Sequence, residues 1–166
     1  MSLSHKLKSF DCGNDDLNDF FFNAAIEHVK ELLAVTYVWE DSITQKTVAF
    51  FSVLNDRIDV DTSHKCKKLR KNIPHEKYYR YYPAVKIGRL GVGIEFQGQS
   101  FGCDIIQFIK QFFIHSNKTG CRFVTVDAYN KQNVLNFYIR NGFRYISDVD
   151  IDNQTRSMYL ELMPAR

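Results

Sequence analysis

The segment Phe96–Gly102 lies between an apolar run and an amphipathic stretch, and this order constrains the fold more than any other feature. Ala84–Val92 before it is apolar enough for a buried strand. After it, apolar residues recur at helical spacing, at Ile105, Ile106, Phe108, Ile109, Phe112 and Phe113. The first turn of a helix has unpartnered backbone N–H groups and a positive dipole end. Because small residues let a phosphate approach those groups, residues 97–102 are predicted to form a pyrophosphate-binding loop.

Two other phosphate-binding patterns do not fit the chain. A P-loop would require Gly-Lys-Ser or Gly-Lys-Thr at its end, and the sequence has neither. Gly88, Gly91 and Gly93 form a glycine-rich run, but no helix follows them directly. Glycines inside a strand indicate a bulge or a close backbone approach rather than a phosphate site.

The loop Gln97-x-x-Ser100-x-Gly102 resembles the Gln/Arg-x-x-Gly-x-Gly/Ala loop of the GNAT family of N-acetyltransferases, which bind acetyl-CoA. The run Asn136–Phe143 resembles the C-terminal motif of the same family, aromatic-Tyr-x-x-x-Gly-Phe, with Tyr138 at the tyrosine position. Ser100 stands where the family usually has glycine. If that position requires a positive φ, serine costs about 1–2 kcal/mol there.

The resemblance implies an α/β (α+β) GNAT fold over one domain, residues 1–166. Its central sheet is expected to be mixed and mostly antiparallel, with a splayed parallel pair, and flanked by helices. The implied reaction is transfer of acetyl from acetyl-CoA, as co-substrate, to a primary amine by direct attack, with Tyr138 as general acid. The residues that the resemblance assigns to acetyl-CoA are Leu90, Gly91, Val92, Gln97, Gly98, Gln99, Ser100, Phe101, Gly102 and Asn133.

The general base that would deprotonate the acceptor amine is not marked by any spacing. Five residues are candidates: Glu95, Asp127, His64, His75 and Tyr129. A water chain, or an acceptor amine of low pKa such as the α-amine of an aminoacyl-tRNA, would need no side-chain base.

The opening Phe10–Leu17 resembles the Phe-x-Cys-Gly-x-x-x-Leu motif of a GNAT subgroup in which many members are toxins of toxin–antitoxin pairs. The resemblance implies an alternative function, a toxin-like acetylase of aminoacyl-tRNA, and an antitoxin partner. A simple helix start explains the same residues, because Asn14 suits an N-cap and Asp15 and Asp16 suit the first turn.

Residues 55–82 are predicted to be irregular, and the Lys65–Tyr82 region within them is basic and rich in tyrosine. Its charged residues are Lys65, Lys67, Lys68, Arg70, Lys71, Lys77 and Arg80 against Glu76. Such a run is either a solvated loop or a surface for tRNA, with aromatic side chains that stack on bases. A third hypothesis is a non-catalytic binding module that uses this region on a GNAT scaffold. Ser100 favours it and the Tyr138 motif opposes it.

The remaining patterns give a consistent order of elements. Residues 34–54 are predicted to form a hairpin, and residues 121–127 a strand parallel to 84–92, because a strand–helix–strand crossover joins parallel neighbours. Asn130 is predicted to cap a helix that ends at Asn141-Gly142. Residues 156–163 alternate polar and apolar and suit a last antiparallel strand.

Composition bounds the class of protein. With 166 residues and 45% hydrophobic content the chain is predicted to be globular. It has no apolar run long enough for a membrane span and no signal peptide, so a cytoplasmic protein without membrane contact is expected. The four scattered cysteines favour free thiols and no metal site. The net charge of +3 indicates no partner by itself, and the family resemblance admits a homodimer.

Overall fold

The computed structural model describes residues 8–61, 79–115 and 119–163. The helices are α1 (Asp15–Asp19), α2 (Ala25–Lys30), α3 (Phe101–Ile114) and α4 (Gln132–Arg140). The strands are β1 (Val35–Glu40), β2 (Thr47–Asp59), β3 (Tyr81–Val92), β4 (Phe123–Tyr129), β5 (Arg144–Tyr145) and β6 (Thr155–Glu161). They form one sheet in the order β1-β2-β3-β4-β6-β5.

The sheet is mostly antiparallel and has one parallel pair. β1 pairs antiparallel with β2, and both β4 and β5 pair antiparallel with β6. Val60 donates to Arg80 and Gly93 donates to Val48, so β2 and β3 also run in opposite directions. The parallel pair is therefore β3 and β4, with α3 between them in the chain, as the sequence predicts.

The described residues group into two compact units. The first contains the chain up to Leu54 together with Ile87–Phe108, and the second contains Asn55–Lys86 together with the chain from Ile109 onward. β2 and β3 therefore each have residues in both units.

The first unit has a core of aromatic rings that pack on one another, some stacked and some edge-on. Phe50 on β2 lies with its ring centroid 4.8 Å from that of Phe21 and 5.4 Å from that of Phe10. Phe20, Cys12 and Ala25 complete this cluster. Such ring pairs add about 0.5–1.5 kcal/mol each beyond the burial of their area, so this cluster fixes the N-terminal segment against β2.

The N-terminal helix contains a π-helical segment, Phe20–Ala24, between α1 and α2. The apolar spacing predicts an amphipathic helix with Leu17, Phe20, Phe21, Ala24 and Ala25 on its apolar positions, and the structure buries Phe20, Phe21 and Ala25 and leaves Leu17 and Ala24 half-buried. The backbone N–H of Ala25 donates to Phe20, five residues back. This wider turn lets Phe20, Phe21 and Ala25 share the core.

The second unit has its own core on one face of β2, β3, β4 and β6. Its members are Ile58, Val60, Tyr82, Ala84, Phe123 and Tyr159. Ile58 and Val60 are two residues apart, as are Tyr82 and Ala84, which is the spacing of side chains on one face of a sheet.

Two predicted boundaries are wrong. β2 continues to Asp59 and β3 begins at Tyr81, so the ends of the predicted irregular segment 55–82 are strands. The N-cap of α4 is Lys131 rather than Asn130, whose side-chain amide donates instead to the carbonyls of Ile151 and Asn153. The Asn14 cap is confirmed at the predicted residue, and the ends of the predicted hairpin and of the last strand are confirmed within one to five residues. In the described parts of the chain no helix has the length and apolar character that crossing a membrane requires.

Candidate functional site

The predicted pyrophosphate loop lies in the first unit, between β3 and α3. After β3 the chain makes a short 3-10 turn, Ile94–Phe96, and α3 begins at Phe101. Gly98 has φ +75° and Ser100 has φ +69°, so the loop contains two left-handed residues. A Cβ added at Gly98 would meet no atom of the described part of the chain within 4 Å.

The backbone N–H groups of this loop are available to a ligand. The carbonyl of Ser100 accepts the first bonds of α3, from Cys103 and Asp104. Among the described residues, the N–H groups of Gly98 to Gly102 have no acceptor. Five successive donors at the start of a 14-residue helix are the arrangement that binds a phosphate anion.

Ser100 meets the condition under which serine is costly. Its φ of +69° lies in the left-handed region, where a residue with a Cβ costs about 1–2 kcal/mol. Ser100 is exposed, and no described residue accepts a hydrogen bond from its hydroxyl. The strain is therefore local, and the loop keeps the left-handed shape that glycine would give it.

The end of β3 carries the next three predicted residues. Leu90 and Val92 are half-buried and Gly91 is buried. A Cβ on Gly91 would lie 2.8 Å from a ring carbon of Phe50, which gives glycine a packing reason at this position. These residues are in the first unit, with the loop.

Tyr138 and Asn133 are on α4, in the second unit. Tyr138 is buried, and its ring packs edge-on against Phe137 and Phe143. Burial raises the pKa of the Tyr138 phenol well above its ordinary value, so it stays protonated at neutral pH. Its hydroxyl has no hydrogen-bond partner among the described residues. Asn133 is exposed on the first turn of α4.

The position of Tyr138 along α4 is fixed by the helix end. Gly142 has φ +92°, and its N–H donates to Ile139 while the N–H of Phe143 donates to the carbonyl of Tyr138. These two bonds form a Schellman motif, in which Gly142 supplies the left-handed residue. The Tyr-x-x-x-Gly-Phe pattern thus has a structural reason in addition to the role predicted for its tyrosine.

A polar cluster that the sequence did not predict lies on the strands of the second unit. The carboxylate of Asp127 pairs with the ammonium of Lys86 and accepts from the Ser157 hydroxyl at 2.8 Å. Beside it the Thr125 hydroxyl bonds the Asp56 carboxylate. The members of this cluster come from β2, β3, β4 and β6, which are far apart in the chain. The alternation of side chains within each strand is the only sequence signal for it, and that signal does not say which strands pair.

The five candidates for the general base lie in different parts of the chain. Asp127 is in the polar cluster, and Glu95 pairs with Lys46 at 2.6 Å in the first unit. Tyr129 is the last residue of β4 and is half-buried. His64 and His75 lie outside the described residues, as does most of the Lys65–Tyr82 region.

Comparison with known proteins identifies the fold. No protein-family model matches the chain, and no curated protein matches it. A structure of AtaT complexed with acetyl-methionyl-tRNAfMet aligns with TM-score 0.75 and 18% identity over 92% of this chain and 85% of that one. AtaTR bound with AcCoA aligns with TM-score 0.75 and 17% identity over 98% and 91%.

A third similar structure is a Tyr-to-Phe mutant of KacT, with TM-score 0.72 and 20% identity over 97% of this chain and 88% of that one. At these identities the likeness concerns the fold. The chain has the GNAT fold, which confirms the fold class that the two sequence motifs predict.

Proposed function

We propose that the protein is an N-acetyltransferase that transfers acetyl from acetyl-CoA to a primary amine by direct attack. One observation carries the proposal: at the start of α3 the five N–H groups from Gly98 to Gly102 have no acceptor among the described residues, and Gly98 and Ser100 have left-handed backbones. The pyrophosphate of acetyl-CoA is the ligand class that such a loop fits. The GNAT fold and a solved structure of that fold with AcCoA support the same ligand.

The chemistry assigns a task to each group. The amine nitrogen attacks the thioester carbonyl carbon, the C–S bond breaks, and the amine proton passes to water or to a base. A backbone N–H near Gly91, at the end of β3, would hold the carbonyl oxygen as it becomes an oxyanion. One preorganised donor of this kind contributes about 3–4 kcal/mol to the transition state.

Tyr138 would act on the leaving thiolate. A phenol with pKa near 10 and a thiol with pKa near 8.5 make full proton transfer uphill by roughly 2 kcal/mol in water. Burial raises the phenol pKa further, and the same burial would raise the pKa of a thiol beside it. Tyr138 therefore donates a hydrogen bond to the sulfur as the bond breaks and completes the transfer as charge builds up there.

A second candidate in the same fold is an acetylase of aminoacyl-tRNA. The observation that favours it is the likeness to the AtaT structure containing acetyl-methionyl-tRNAfMet. The Phe-x-Cys-Gly opening and the basic Lys65–Tyr82 region agree with it. The same likeness makes an antitoxin a candidate partner, since another solved neighbour is an AtaT–AtaR complex.

An acceptor panel tests the function and separates the candidates. The full chain would be incubated with acetyl-CoA and with small primary amines, a lysine-containing peptide and charged tRNA, and free CoA and acetylated products would be measured. We expect product from at least one class, and product from charged tRNA alone would select the second candidate. Acetyl-CoA binding with no product from any acceptor would support the non-catalytic binding module instead.

A further inference from the structure

Gln97 uses both hydrogens of its side-chain amide inside the protein. Its Nε2 donates to the carbonyl of Val92 at 2.9 Å and to the carbonyl of Cys12 at 2.9 Å. Val92 ends β3, and Cys12 precedes α1. Because a primary amide has two N–H donors, neither is left for a phosphate.

The segment that contains Asp11 and Cys12 also contacts the beginning of the 3-10 turn Ile94–Phe96. The N–H of Ile94 donates to the carbonyl of Asp11 at 2.9 Å. Adjacent carbonyls, of Asp11 and Cys12, thus accept bonds from residues at the start of the 3-10 turn and just after its end. Two bonds to neighbouring residues fix the orientation of the turn as well as its distance.

Asn18 holds the accepting segment in shape. Its Oδ1 accepts from the Cys12 N–H at 3.0 Å and from the Cys12 thiol at 3.2 Å, and its Nδ2 donates to Asp11 Oδ1 at 2.8 Å. The same Asp11 oxygen accepts from the Gly13 N–H at 2.8 Å. The Gly13 N–H and, second, the Asn18 amide keep the pKa of the Asp11 carboxyl below its usual value, so it stays a charged acceptor.

We infer that Gln97 and Asn18 are positioning residues for the pyrophosphate loop, which the Gln97 amide joins both to the end of β3 and to the segment Asp11–Asn18. The inference rests on the proposed function. Gly98 follows Gln97 directly and Ser100 lies two residues further on, and both have left-handed backbones, so a rotation at Gln97 would change the direction of the N–H groups from Gly98 to Gly102. Donors that are already aligned need no ordering when the ligand binds.

The test compares three glutamine variants by calorimetry with CoA and by thermal unfolding. Gln97→Met keeps the length of the side chain and removes both donors. Gln97→Arg restores donors that can reach two carbonyls. Gln107→Met makes the first change on an exposed face of α3, where the glutamine has no hydrogen bond to the described residues. We expect Gln97→Met to weaken CoA binding about tenfold or more, the worth of two net hydrogen bonds.

The other variants decide what that loss means. Gln97→Arg should recover most of the affinity, and Gln107→Met should bind as the wild type does. Equal CoA affinity in Gln97→Met and wild type would overturn the positioning role and leave the proposed function intact. No CoA binding by the wild type would overturn the proposed function and this inference with it.

A milder variant covers the case in which Gln97→Met does not fold. Asn18→Asp keeps the acceptor for Cys12 and loses the donor to Asp11, which it then repels. We expect a folded protein with weakened CoA binding. Wild-type affinity in this variant would show that the anchor does not position the loop.

Discussion

Ser100 holds a left-handed backbone that favours glycine, and this gives a direct stability prediction. Ser100→Gly should stabilise the fold by up to about 1 kcal/mol, because relief of the strain exceeds the entropy that glycine loses. For a chain of this length that is a rise of about 2–4 °C in the unfolding midpoint. The matched control is Ser42→Gly, in an exposed turn without a positive φ.

CoA binding should be kept or improved in Ser100→Gly, because the loop conformation does not change. A lower unfolding midpoint than that of Ser42→Gly would show that the serine side chain stabilises the loop. Weaker CoA binding would mean that the Ser100 hydroxyl contacts the ligand.

Tyr138→Phe separates binding from chemistry. The variant keeps the ring that packs on Phe143 and removes only the hydroxyl. We expect acetyl-CoA affinity close to that of the wild type and a loss of about 10²–10⁴ in turnover, the range for a general acid. Isothermal calorimetry and a free-thiol assay measure the two quantities, and unchanged turnover would remove Tyr138 from the mechanism.

Burial of Tyr138 also predicts how stability depends on pH. Its folded-state pKa is raised, so the stability that the neutral phenol contributes is complete below the unfolded pKa of about 10 and is lost as pH rises above it. Denaturant unfolding at several alkaline pH values should show a steeper decline for wild type than for Tyr138→Phe. Parallel declines would contradict the effect of burial on the Tyr138 phenol.

At the scale of elements, the end of α4 depends on Gly142. A Cβ there would lie 3.2 Å from Leu160 Cδ1, at a φ of +92°. Gly142→Ala should therefore cost about 1–2 kcal/mol from the backbone alone, and more if Leu160 cannot move. Gly120→Ala is the control, since its φ is +65° but no atom of the described residues lies within 4 Å of its added Cβ.

Chemical denaturation would compare the two alanine variants. A larger loss at Gly142 would show that close packing adds to the backbone cost. Equal losses would contradict the predicted contact and leave only the left-handed conformation as the reason for glycine.

The sequence predicts the strands and helices better than the irregular turns and caps at their ends. Strands β1, β2, β4 and β6 follow from apolar runs and alternation, and the Asn141-Gly142 end of α4 from one glycine. The π-helical segment after α1 could not be predicted, because Phe20, Phe21, Ala24 and Ala25 fit the spacing of an ordinary α-helix equally well. The role of Asn130 was missed because its partners, Ile151 and Asn153, are more than twenty residues away in the chain.

The sequence indicates the motifs of the candidate site but not the tertiary contacts that hold these motifs in place. The left-handed Ser100 follows from its place in the loop pattern. The contacts of Gln97 with Cys12 and the pairing of Asp127 with Lys86 join residues that are distant in the chain. No local pattern encodes such pairs, although the Phe10–Leu17 opening marked one side of the first contact.

At the scale of the whole molecule, the net charge of +3 does not by itself indicate a nucleic-acid partner. Charge reversal in the basic region, with activity measured at several salt concentrations, tests for such a partner directly. If the acceptor is charged tRNA, replacing Lys67, Lys68 and Lys71 with Glu should weaken its use and reduce the salt dependence, since each phosphate contact adds about 0.7–0.9 to the slope. Acetylation of a small amine should not change. If the variant and the wild type have identical kinetics on charged tRNA as well as on the small amine, the hypothesis that this region binds tRNA is contradicted.

The central claim is that the loop Gln97–Gly102 binds the pyrophosphate of acetyl-CoA. The measurement that tests it most directly is calorimetry of acetyl-CoA binding to the wild type and to Gly102→Glu, which adds bulk and negative charge beside the five N–H donors. We predict micromolar binding by the wild type and none by the variant, with both proteins folded by circular dichroism. Equal binding by both would contradict the placement of the site, and no binding by the wild type would contradict the claim itself.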